Sequence, residues 1–156
     1  MADAAAITDT EPTADVAAEA ERAVQITRER VRTYLTQFLG DAEADGEDFC
    51  TRYGSAQVFI RVRVFDDDSS LVVVESPLVQ GITPSPELYE YVATNHTRYD
   101  FGHLTVSIED DATATIHYAK SVLGDFLDAE ELRLTVVAIS VLGDQMDDEL
   151  VERFGG

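Results

Sequence analysis

One cysteine, Cys50, stands in a chain of 156 residues, so neither an intrachain disulfide nor a cysteine-based zinc site can form within one copy. That usage fits a reducing compartment. Basic residues are also scarce. Eleven Lys and Arg face 31 Asp and Glu, which gives a formal net charge of -20, a field that repels phosphate backbones and anionic lipid surfaces. Nucleic acid and membrane are excluded as expected partners on that ground. No window approaches the ~20 apolar residues of a membrane span, and Met1 to Ala14 has no Lys or Arg and no long apolar run. A cytoplasmic location is the expectation. Ten arginines against the single Lys120, with abundant Ala, Val and Asp, suit a GC-rich genome, while a salt-adapted host would also raise acidity.

What is present is a foldable chain. Hydrophobic residues make up 45% of it, enough to offset the entropy of ordering, and the length suits one domain with a tail. Residues 1–14, with Pro12 and no apolar periodicity, read as a disordered acidic tail, and residues 15–156 as the domain. Val24, Val31, Leu35 and Phe38 recur at helical spacing from about Asp15 to Leu39, with Gly40 as the stop. An acidic loop, Asp41 to Asp48, follows, and then the period changes to two.

Phe49 to Tyr53 and Ala56 to Phe65 read as strands, and Leu71 to Leu78 as the partner of the second across the turn Asp66 to Ser70. Pairing Phe65 with Leu71 sets Val64 opposite Val72 and Val62 opposite Val74 on an inner face, and Arg61 opposite Glu75 on an outer one. Val79 to Thr83 reads as a loop. Ser85-Pro86-Glu87 has the chemistry of a helix start, and that helix is expected to reach about Thr97. A second hairpin, Phe101 to Ile108 with Thr113 to Val122, needs an odd-numbered connection such as Asp110 to Ala112. Its outer face then carries Thr105, Ser107, Thr115 and His117. Asp128 with Glu131 forms a capping box before a last helix whose stripe is Leu132, Val136, Ile139, Met146 and Leu150.

Chemistry-bearing patterns are thin. Asp66-Asp67-Asp68 and Glu109-Asp110-Asp111 lack the spaced ligands and glycine of a calcium loop and read as solvated turns. His103 and His117 are diagonal neighbours without an evident third ligand, and Cys50 reads as a small buried residue. Nucleophile-elbow, Walker and dinucleotide fingerprints are missing. No catalytic residue, metal or cofactor is therefore expected, and the chain does not read as an enzyme. An apolar outer face remains, in which Phe59, Phe65, Leu71 and Val73 surround the Arg61 and Glu75 pair. Either the middle helix covers that face, or part of it or an adjoining strand edge accepts a partner peptide.

The runs Arg52-Tyr53-Gly54-Ser55-Ala56-Gln57-Val58-Phe59-Ile60-Arg61-Val62, Ser76-Pro77-Leu78-Val79 and Ser85-Pro86-Glu87-Leu88-Tyr89 resemble actinobacterial YbjN-domain proteins of the T3SS and YbjN peptide-binding chaperone family. Tyr99-Asp100-Phe101-Gly102-His103-Leu104 and Leu123-Gly124-Asp125-Phe126-Leu127-Asp128 extend the resemblance over about Val16 to Gly156. It implies an α+β, type III secretion chaperone-like fold in the order α-β-β-β-α-β-β-α, with a twisted, mainly antiparallel sheet. It also implies a non-enzymatic homodimer holding an extended segment of a client protein or peptide, for which the acidic surroundings favour a basic character. Phe59, Arg61, Phe65, Leu71 and Val73 are the candidate peptide-binding residues. YbjN relatives are also labelled sensory-transduction or stress regulators, which implies as alternative a scaffold for a folded partner.

Overall fold

The computed structural model describes residues 14–40, 43–95 and 100–155. The expected tail lies outside these residues except for Ala14, which opens the first helix. Helix α1 (Ala14–Leu39) buries Val24, Val31 and Leu35 and ends where Gly40 adopts φ 81°. Its left-handed conformation stops the helix at the residue whose missing Cβ makes that cheap. Strands β1 (Glu43–Asp45), β2 (Asp48–Tyr53), β3 (Ala56–Asp66) and β4 (Ser69–Ile82) follow. Helix α2 (Pro86–Asn95), strands β5 (His103–Ile108) and β6 (Ala114–Leu123) and helix α3 (Ala129–Phe154) complete the chain. The six strands form one antiparallel sheet in the order β1-β2-β3-β4-β6-β5.

The α+β class and the order of elements are those expected, with the short β1 added ahead. The segment read as an acidic loop folds back at Gly46, φ 62°, so that Ala44 lies against Phe49. Both caps read from the sequence are present. Asp128 Oδ1 accepts from the Glu131 N–H at 2.7 Å, and Ser85 Oγ accepts from the Leu88 N–H at 3.2 Å. Residues 96 and 97, expected to end the second helix, lie outside the described residues.

Alternation in β3 and β4 sends Val58, Ile60, Val62, Val72 and Val74 to one side, all essentially without solvent exposure. Helices α1 and α3 cover that side. Thr27 of α1 shares a 2.7 Å hydrogen bond with Ser70 of β4, and Gly143 of α3 sits where a Cβ would come within 3.0 Å of Ser76 Oγ. The glycine occupying an apolar position of the α3 stripe thus lets helix and sheet approach closely. Leu132, Val136 and Ile139 of the α3 stripe complete this core, and Val106 of β5, which the alternation of the second hairpin also predicts inside, packs against it only partly buried. Helix α2 lies at the β5 edge and joins the same core through Leu88 and Tyr91. The Tyr91 ring meets Phe154 of α3 edge-on at 5.4 Å.

Two expectations about pairing are corrected. In the β3–β4 hairpin Val62 faces Val72 and Phe59 faces Glu75, a register two residues away from the expected one. The cause is a tight Asp67-Asp68 turn together with a bulge at Phe65, which shortens the connection. Val64, expected inside, lies past the helices and is 57% exposed. The expected loop from Val79 onward is instead the end of β4, which pairs Val79 with Ile116 and Ile82 with Ala114 across two register shifts. In the second hairpin the expected register is found. Leu104, Val106 and Ile108 face Tyr118, Ile116 and Ala114, and the three-residue loop is closed by Ala112 at φ 63°.

Candidate functional site

The other side of the sheet carries no helix among the described residues. Antiparallel partners point to the same side, so Phe59 and Arg61 of β3, Leu71, Val73, Glu75 and Pro77 of β4, and Thr115, His117 and Ala119 of β6 share this face. Most are half-buried by their neighbours in the sheet. The middle helix, weighed above as a cover, does not reach it.

Near the end of β4 the face becomes concave. The shifts after Pro77 and Val79, with Gly81 at φ 72°, bend the strand, as bulges do. A groove of about 550 Å³ results. Phe59, Arg61, Glu75 and Pro77 form one side, Gln80 and Gly81 close the end, and Glu109, Asp111, Thr113, Thr115 and His117 form the other side. Of the five candidate residues, Phe59 and Arg61 line this groove. Leu71 and Val73 lie on the same face nearer the Asp67-Asp68 turn, and Phe65 occupies the bulge, 58% exposed. The polar row of the second hairpin was legible from its alternation, but the groove also needs Gln80 and Gly81, in a segment read as a loop, and two acids read as turn residues.

Charge is organised locally. Arg61 pairs with Glu75, a diagonal rather than a directly opposite neighbour, and its Nε lies 3.7 Å from Asp48 Oδ2. Its guanidinium also lies 5.1 Å from the centre of the Phe59 ring. Arg63 grips Asp48 with both terminal nitrogens, at 3.0 and 2.8 Å. Across the groove the Ser107 hydroxyl donates to Glu109 at 2.8 Å, and hydrogen bonds from Ser107 and Thr115 hold the Glu109 carboxyl below its ordinary range. Asp111 accepts from the Thr113 hydroxyl at 2.6 Å and from its N–H at 3.0 Å, which lowers its carboxyl in the same way. Both acids are ionised at neutral pH.

His117, in β6, lines the groove beside them. Burial pushes its imidazole below the ordinary range, with the Glu109 charge acting against that and Arg61 adding to it. Its Nε2 is 2.9 Å from Ser107 Oγ. Because the Ser107 proton goes to Glu109, this network assigns the ring proton to Nε2. The direction is the reverse of a nucleophile activated by a histidine base. Cys50 is buried on β2 opposite Phe59.

The fold, helices packed against one side of an antiparallel sheet, has a likeness among solved structures. The crystal structure of YbjN from E. coli, described as a candidate transcription regulator, superimposes with a TM-score of 0.54 at 13% identity. The match covers 78% of this chain and 91% of that one. Likeness at that identity carries the fold. The family follows from the sequence: residues 25–156 match the model described as T3SS (YopN, CesT) and YbjN peptide-binding chaperone 1, and the chain belongs to that family. It is a family of chaperone-type binding modules. No curated protein matches the chain. No helix among the described residues is long and apolar enough to cross a membrane.

Proposed function

We propose that this protein is a non-enzymatic, cytoplasmic holder of client proteins, acting as a homodimer and binding an extended client segment on the open face of its sheet. One observation carries the reading: α1 and α3 pack against one side and α2 lies at the β5 edge, so that among the described residues no helix covers the grooved side, where Phe59, Leu71, Val73 and Pro77 are half-buried. Extended peptides suit such a surface because alternate side chains point into it while the others stay in water. Family membership supports the peptide as ligand. The acidic surface favours basic segments, and because exposed charges are screened over ~8 Å it acts on capture rate and partner choice more than on affinity.

The test replaces Phe59 and Leu71 with Ser in protein whose circular dichroism is unchanged. It then measures binding of a pool of fluorescein-labelled nine-residue peptides by anisotropy. Loss of the two apolar contacts should weaken binding by about tenfold or more. Equal affinity in the folded double variant would sink the platform. A second reading, a regulatory scaffold for one folded partner, is favoured by the description of the E. coli neighbour. Saturable one-to-one capture of a folded protein without any peptide binding would select it.

A further inference from the structure

Within the groove the positive charge is already committed and the negative charge is not. Among the described residues Arg61 is the one cation lining the space, and Glu75 and Asp48 hold it. Glu109 and Asp111 on the facing wall are exposed, and among the described residues hydroxyl and backbone donors bond them, with no arginine or lysine. Such donors orient a carboxylate and keep it ionised without cancelling its charge. The neutral His117 adds no positive charge at physiological pH. A concave space of about 550 Å³ therefore has an aromatic and prolyl wall, Phe59 and Pro77, opposite two oriented anions.

Resting on the peptide-holding reading, we propose that this groove is the subsite for an arginine side chain of the extended client. Its guanidinium is placed between Glu109 and Asp111 and its methylene stem against Phe59 and Pro77. A long cationic side chain suits both walls at once, since its stem buries on apolar surface while its head seeks carboxylates. Planar donors also match carboxylates in a way that an ammonium does not. The groove would fix which client residue sits at the end of β4, and so set the register of the bound segment.

The experiment uses two fluorescein-labelled pools of nine-residue peptides, degenerate in Val, Leu, Ser and Thr at eight positions. The central residue is arginine in one pool and citrulline, its uncharged isostere, in the other. Wild-type protein should bind the arginine pool about fivefold more tightly, the scale of a pair of solvent-facing ion pairs. The E109Q/D111N variant should bring the ratio to about one. A ratio of one in the wild type, or an unchanged ratio in the folded variant, overturns the subsite while leaving peptide holding intact. Failure of the wild type to bind either pool overturns both. If the double variant does not fold, Asp111→Asn alone replaces it and should at least halve the ratio, because Asp111 bonds within its own turn. A single variant with the full wild-type ratio would then count against the proposal.

Discussion

Ile60 and Arg61 are consecutive in β3 and belong to two differently built surfaces. Ile60 has no solvent exposure and packs with Val72, Val74 and the helices, whereas a third of the Arg61 side chain, 33%, remains in solvent between Glu75 and Asp48. Shape holds the inner face together, through aliphatic side chains that leave no room for error. Paired charges and single rings hold the outer face, with space left over. An incompletely filled surface has room for a ligand and a filled one does not, so stability rests on the inner face and the proposed binding on the outer one.

The strongest way to break the contrast is to truncate on both sides. Ile60→Ala should cost about 2–5 kcal/mol, because a cavity stays open among residues that cannot collapse into it. Val73→Ala, half-buried on the other side, should cost about 1 kcal/mol or less. Urea unfolding of the two variants checks this, and equal costs would erase the distinction. A smaller effect should come from the outer charges. Arg61→Gln leaves Glu75 and Asp48, only 16% and 15% exposed, without one of their cations, at an expected cost of about 1 kcal/mol. Adding Glu75→Gln should return part of it in a double-mutant cycle.

The smallest effect concerns pH. The folded-state pKa of His117 is depressed by burial, so the unfolded chain takes up this proton first as pH falls. The contribution is present above the unfolded value of about 6.5 and is lost as pH drops through the folded value. His117→Asn should therefore flatten the fall in urea midpoint between about pH 7 and pH 5.5. A slope identical to that of the wild type would show that another group carries it.

The inner face was far more legible in sequence than the outer one, and the reason is geometric. Val58, Ile60 and Val62 announce a buried side through period two, and Asp128 with Glu131 announces a helix start by local bonds alone. A slip of two residues leaves every side chain on its own face, so periodicity could not choose between Val62 opposite Val74 and Val62 opposite Val72. Charge misled as well, since the long Arg61 side chain reaches Glu75 diagonally. Pro77 and Gly81 look like strand breakers, yet β4 accommodates them with register shifts, and those shifts make the groove. Of the candidate residues named from sequence, Phe59 and Arg61 line the groove, while Gln80, Gly81, Glu109 and Asp111 depend on a bend that only three-dimensional pairing reveals.

Strand β4 has one further consequence, for synthesis on the ribosome. Its partner on one side, β3, precedes it directly, but its partner on the other, β6, is separated from it by residues 83–113. At ~5–20 residues per second that interval lasts ~2–6 s. During it a 14-residue strand containing Leu71-Val72-Val73-Val74 has one row of backbone donors and acceptors open. Such an edge invites pairing with other chains. A protein of chaperone type is thus, while being made, in the condition of the clients its family holds.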